Sequence, residues 1–289
     1  MGDVLCLRLN VPASLRRSAL VEELPRALAA FERACPLGSW GLMPESLPDR
    51  QFDGYSYTLL AWPRDPAGDL AALAQSLHQS LTGRGFGVEA SPSSDAAGNS
   101  ARAQKYLRVR YGDGFAGAPE FFGASARALL AALASVPGEL EGGALLQRQV
   151  AHLYAMLRAF GLAETRFGPL LDAFIRYNRS RSETAPEAVE AYLAARKAAA
   201  EELLKNPAFS GLFERVFTGP RTPETEAFAR EAAKGAAALR AARGELPAAL
   251  PLELAIWNNF IHIHMLLLGA RNELEFTLEH AWCRFLDGR

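Results

Sequence analysis

The sequence predicts an α+β protein, with a small mixed or antiparallel sheet in the N-terminal part and a largely helical C-terminal half. Short runs rich in aromatic and aliphatic residues, each stopped by proline or glycine, are confined to residues 1–115. Beyond them, apolar residues recur at helical spacing in segments separated by glycine, proline and serine signals. Strands first and helices later is the pattern of an α+β chain rather than of alternating βαβ units. At 289 residues, residues 1–115 and 116–289 are expected to be the strand-containing and helical parts of one fold.

In chain order, residues 4–11 alternate loosely and stop at Pro12, which predicts a strand. Ser14 is placed to cap a helix in which Leu15, Leu20, Leu24, Leu28 and Phe31 share a face, with Pro25 as an interruption. Residues 35–53, rich in Gly, Pro and Asp, read as a loop carrying Trp40. Residues 55–62 form a second strand closed by Pro63, and Asp69 caps a helix running to Leu81. Val88-Glu89-Ala90 is a short strand, residues 91–102 a loop, and residues 106–111 a last strand before Gly112-Asp113-Gly114. Helices are predicted over 120–135, 145–160, 167–177, 186–205, 223–243 and 252–286. The breaks between them are marked by Pro137-Gly138, Gly161, Ser180-Arg181-Ser182, Asn206-Pro207 and Gly244. No internal repeat at a fixed period is present.

Composition narrows the function classes. The chain is 49% hydrophobic and 22% charged with a formal net charge of −1, so nothing points to nucleic acid or an anionic membrane as partner. No apolar run is long enough to span a bilayer, and the N-terminus lacks the pattern of a secretory signal, so a cytoplasmic location is expected. The three cysteines, Cys6, Cys35 and Cys283, have no metal or disulfide spacing. Neither a glycine-rich dinucleotide loop, a phosphate loop, nor a Gly-x-Ser-x-Gly elbow occurs, and no cofactor or metal is expected.

One segment stands out chemically. Residues 257–269 hold Asn258, Asn259, His262 and His264 in an otherwise oily helical run. Leaving a buried imidazole or amide unpaired costs about 1–3 kcal/mol, so these groups need structural partners or a substrate. On a helix, residues two apart project about 200° from one another, so His262 and His264 do not form a metal pair. Each is read either as a packed histidine donating to a carbonyl or as a proton-handling group; His78, His152 and His280 are read as packed. Arg108 and Arg110 share one face of the strand at 106–111, either solvated or recognising a carboxylate or carbonyl. Tyr55, Tyr57, Tyr106 and Tyr111 flank the same sheet, as core or as hydroxyl donors. The basic tip Arg176-Tyr177-Asn178-Arg179-Ser180-Arg181 reads as solvated, with attraction of an acidic peptide as the alternative.

Three segments carry a resemblance. The first is Tyr106-Leu107-Arg108-Val109-Arg110-Tyr111-Gly112-Asp113-Gly114 with the helix after it, including Pro119-Glu120-Phe121-Phe122. The second is the helix of residues 145–162 closing in Gly161-Leu162. The third is His262-Ile263-His264-Met265-Leu266-Leu267-Leu268-Gly269 with Glu273 or Glu275. In this order they resemble the C-terminal elimination domain of lantibiotic dehydratases, a family that includes thiopeptide-type bacteriocin biosynthesis proteins. The chain departs from the eliminating members. Their arginines are absent from the strand at 55–62, Leu107 replaces a glutamate, and Met265, Leu266 and Leu267 occupy the place of an Asn-Arg pair.

Those departures make the chain most similar to the thiopeptide pyridine synthases of the same fold. The resemblance implies a cofactor-free, formal aza-[4+2] cycloaddition joining two dehydroalanines of an azole-bearing precursor peptide, with loss of water and leader peptide. It implies His262 and His264 in proton transfer, and Tyr111 or Tyr57 holding the amide carbonyl. Arg108, Arg110, Asn258, Asn259 and Tyr55 are expected to bind the peptide. The partner is then a precursor peptide with a leader and a modified core, without nucleic acid or membrane, and a homodimer is compatible with the sequence. The alternatives are a stand-alone glutamate-elimination subunit of a split dehydratase and a non-catalytic scaffold that binds a leader peptide.

Overall fold

A computed structural model describes residues 4–32, 37–44, 54–64, 87–89, 118–135, 142–161, 167–180, 185–241 and 257–288, with isolated positions at 75, 78, 79, 82 and 254. The chain divides into two compact units, Met1–Leu140 with Ala241–Pro247, and Glu141–Arg240 with Ala248–Arg289. The α+β class holds, and the sheet is antiparallel throughout its described strands.

In the first unit the sheet has the order β2-β3-β1-β4, where β1 is Leu5–Pro12, β2 Leu37–Pro44, β3 Gly54–Pro63 and β4 Gly87–Glu89. The alternation seen in the sequence is that of β1, whose Leu5, Leu7, Leu9 and Val11 are buried while Arg8 is exposed. β3 lies between β1 and β2 and is buried from Tyr57 to Trp62, so its side chains are covered on both faces. The expected strand at 106–111, the loop at 91–102 and most of the helix at 69–81 lie outside the described residues.

The loop expected around Trp40 is instead a strand, β2, which ends the order of the described strands. Its glycines, which argued against a strand, serve packing. A Cβ on Gly41 would lie 2.5 Å from the backbone and Cβ of Phe122, on helix α2 (Ala118–Ala134). A Cβ on Gly123 of that helix would lie 3.1 Å from the Trp40 carbonyl. Helix and strand therefore touch backbone to backbone, which only glycine permits. Gly41→Ala is expected to destabilise the fold by about 1–3 kcal/mol through overpacking, measured as a lower urea midpoint at unchanged m-value.

The helix expected after Ser14 begins as a 3-10 turn at Ala13–Leu15 without a side-chain cap, continues as a π-helical stretch Ser18–Glu23, and becomes α-helical in α1 (Leu24–Glu32). Pro25 falls just after the change from π to α geometry, and the helix runs on through it.

The second unit is helical: α3 (Gly142–Ala159), α4 (Phe167–Ser180), α5 (Pro186–Lys205), α6 (Pro207–Thr218), α7 (Pro223–Ala241), α8 (His262–Leu267) and α9 (Asn272–Asp287). α6 was not expected. Asn206-Pro207, read as a stop, is also a start: the Asn206 side chain accepts from the Ala208 N–H at 2.9 Å and Pro207 occupies the first turn. The single helix expected over 252–286 is broken. A π-helical turn at Trp257–Ile261 precedes α8, and Gly269 (φ +84°) ends it. The Gly269 N–H bonds the Leu266 carbonyl and the Ala270 N–H the Met265 carbonyl, each at 2.9 Å, the Schellman arrangement that needs a left-handed residue. α9 is buried continuously from Glu275 to Cys283, the mark of a central helix. Its Trp282 stacks on Tyr154 at 4.4 Å and donates its indole N–H to the Val150 carbonyl at 3.3 Å.

Candidate functional site

Because residues two apart on α8 face different ways, His262 and His264 acquire different partners. His262 turns toward α9, where its Nδ1 lies 2.8 and 3.0 Å from the two carboxyl oxygens of Glu275. The Phe174 and Phe276 rings wall this pair at centroid distances of 5.8 and 6.0 Å. Glu275 is fully buried, while 8% of the His262 side chain is exposed. The resemblance left Glu273 or Glu275 open; the imidazole partner is Glu275, and Glu273 is exposed.

His264 turns toward α3 and is sealed. Its Nε2 lies 3.0 Å from Nδ1 of His152, and its ring stacks on Phe228 at 4.1 Å. The other nitrogen of His152 lies 3.1 Å from Glu224 Oε1, and Glu224 Oε2 is 3.7 Å from Arg148. With His152 donating to the carboxylate, its bare Nδ1 accepts the proton of His264 Nε2, which fixes both tautomers. Burial holds His264 well below the usual imidazole value, and the adjacent His152 lowers it further, so this ring is neutral. Both histidines bond side chains, His262 the Glu275 carboxyl and His264 the His152 ring. His264→Phe keeps the stack but leaves His152 Nδ1 without its donor. It is expected to cost about 1–3 kcal/mol of stability, read from urea unfolding against the parent chain.

Glu279 lies one turn beyond Glu275 on α9, fully buried, and accepts from the Trp257 indole N–H at 2.7 Å. Burial pushes both carboxyls well above the usual range. The Glu275 charge raises Glu279 further, against the opposing pull of the Trp257 bond. Two carboxylates so close in the interior do not both ionise. Burial therefore favours the neutral form of Glu279, beside a Glu275 carboxyl that faces His262 Nδ1.

In the first unit, Tyr57 is 1% exposed and its hydroxyl oxygen accepts from Nε of the equally buried Arg16 at 2.8 Å. The Arg16 guanidinium lies 4.0 Å over the ring of half-buried Tyr55, which stacks on Tyr57 at 6.2 Å. Strand β3 has no arginine, as its sequence says, yet a cation reaches it from the turn after β1. Arg16 had no signal of its own in the sequence.

Arg108, Arg110 and Tyr111 lie outside the described residues, and Asn258 and Asn259 are placed in the π-helical turn without described side chains. The basic tip is engaged: Arg176 pairs with Glu190 at 2.6 Å, and Arg179 lies 4.4 Å over the Tyr192 ring. Among the described residues no group of three His, Cys, Asp or Glu side chains is placed to hold a metal ion, and no helix is long and apolar enough to cross a membrane.

No protein-family model matches the chain, and no curated protein matches it. Solved structures do. The tRNA-dependent lantibiotic dehydratase MibB from Microbispora sp. 107891 matches over 99% of this chain and 28% of its own, at a TM-score of 0.55 and 15% identity. TbtD, the pyridine synthase from thiomuracin biosynthesis, matches over 98% of this chain and 97% of its own, at 0.55 and 13%. This chain has the fold shared by lantibiotic dehydratases and pyridine synthases. A third solved structure, TsrL, matches over 100% of this chain and 95% of its own, at 0.54 and 16%.

Proposed function

We propose that this chain is a peptide-modifying enzyme of ribosomal natural-product biosynthesis, and more narrowly a pyridine synthase. The reaction is the formal aza-[4+2] cycloaddition of two dehydroalanines in an azole-bearing precursor peptide, followed by loss of water and leader peptide. The observation that carries the reading is the His262–Glu275 pair: an imidazole hydrogen-bonded to a fully buried carboxyl, walled by phenylalanines, with 8% of the His262 side chain exposed. The reaction asks for such a group. One backbone amide must pass to its iminol form by giving up its N–H proton and gaining one on oxygen, after which two carbon–carbon bonds close the ring. The hydroxyl so formed then leaves as water.

In this reading His262 moves the proton and Glu275 holds it in reserve. His264, being sealed, orients the surrounding helices through His152 and Glu224. The amide carbonyl is held by Tyr111 or Tyr57. Arg108, Arg110, Tyr55, Asn258 and Asn259 contact the peptide. Glutamate elimination asks instead for paired cations around a carboxylate; the side chains against His262 include Glu275, Phe174 and Phe276.

Incubation with a dehydrated, azole-bearing peptide and, separately, with a glutamylated one tests this by mass spectrometry. Loss of the leader and one water from the first is expected. Loss of a glutamate mass from the second marks an eliminase, and an unchanged mass in both marks a binding scaffold; either result overturns the proposal.

A further inference from the structure

A separate cavity in the helical unit has a chemistry that the ring-forming reaction does not use. It offers about 120 Å³, open to solvent on one side, between α3, α6, the connection into α7 and the first turn of α7. Since each water in the liquid takes about 30 Å³, this is room for one amino-acid side chain rather than for a helix. Tyr154, Ala155, Leu212 and Val216 supply apolar lining, while Arg148, Arg215 and Arg221, with Gln147 and Thr222, supply the polar part.

Three arginines line the cavity and no acidic residue does. Arg148 is answered by Glu224 at 3.7 Å. Arg215 and Arg221 make no ion pair or side-chain hydrogen bond among the described residues. Elsewhere on this unit the described basic side chains are largely paired, as Arg176 is with Glu190 and Lys197 with Asp172. Two unanswered planar forks at the mouth of a side-chain-sized cavity suit a carboxylate, which each can engage through two parallel N–H bonds.

We propose that this cavity is a binding site for a peptide carboxylate, taking an acidic side chain next to an apolar one. The apolar neighbour packs on Leu212 and Val216, and the carboxylate is held by Arg215 and Arg221. Arg148 stays with Glu224 and links the site to His152. That the carboxylate arrives on a peptide rests on the function proposed above; the cavity's preference for carboxylates does not.

Binding to the full chain, without turnover, tests the proposal. The probes are fluorescein-labelled Leu-Glu-Glu-Leu and its Leu-Gln-Gln-Leu counterpart, followed by fluorescence anisotropy, with glutarate and inorganic phosphate as competitors. The glutamate peptide is expected to bind at least about ten-fold more tightly than the glutamine one. Arg215→Glu with Arg221→Glu is expected to abolish that preference, and Arg215→Gln with Arg221→Gln, which introduces no new charge, to weaken it. Equal binding of the two peptides, or an unchanged preference in both double variants, overturns the site. Glutarate competing as well as the peptide overturns the peptide occupant, and phosphate outcompeting glutarate overturns the carboxylate. A chain that forms no pyridine yet keeps the glutamate preference refutes the enzymatic reading alone.

Discussion

Glu275→Gln is expected to lower kcat for ring formation on the order of 10²-fold or more, with KM little changed. Glutamine matches a protonated glutamate in shape, and burial already favours the protonated form of Glu275. The substitution therefore keeps the contact to His262 Nδ1 while removing the exchangeable proton. A purely structural Glu275 would tolerate it, leaving kcat and its pH profile as in the parent chain. His262→Phe removes the imidazole itself and is expected to lose on the order of 10²- to 10⁴-fold, while the phenyl ring keeps the aromatic contacts to Phe174 and Phe276. Circular dichroism on both variants separates lost chemistry from lost fold.

The second large effect is on stability. Folding raises the pKa of Glu275 and Glu279, so the folded chain binds their protons more tightly than the unfolded chain does. The stability they contribute is complete below the ordinary carboxylate range and is lost as pH rises toward their folded values, at up to about 1.4 kcal/mol per pH unit and group. The histidines act in the opposite sense. His264 is depressed by burial, and His280 is lowered to about 4, mainly by burial. Both must gain a proton on unfolding in acid, so their contribution falls away as pH drops below the usual imidazole value. Glu279→Gln removes one acid and leaves the histidines untouched. The variant is expected to gain on the parent chain as pH rises, by more than 1 kcal/mol between about pH 5 and 8 in urea unfolding. A difference independent of pH would show that Glu279 is not held protonated.

Which parts of this chain could be read from its sequence depends on how far apart the partners lie. β1 and β3 were legible because alternation and a closing proline are local signals. β2 was hidden because Gly41 answers to Phe122, a residue distant in sequence, so its glycines looked like loop. α6 was hidden because Asn206-Pro207 caps one helix directly after another ends. The histidines announced themselves as polar groups in an oily run, and helical geometry already separated their directions. Their partners did not. His152 and His264 are 112 residues apart, and Glu224 is 72 from His152. Glu275 and Glu279 did leave a signal: two acids one turn apart among Phe276, Leu278, Ala281 and Trp282, on a helix with no polar face there to hold them.

The pyridine reading makes a particular demand on one oxygen atom. The iminol hydroxyl derives from the amide carbonyl beside the second dehydroalanine, and it is this oxygen that leaves as water when the ring becomes aromatic. A dehydrated, azole-bearing peptide carrying heavy oxygen at that carbonyl is expected to yield an unlabelled ring product and labelled water. Product that retains the label, or a peptide returned intact, would contradict the cycloaddition at its defining bond.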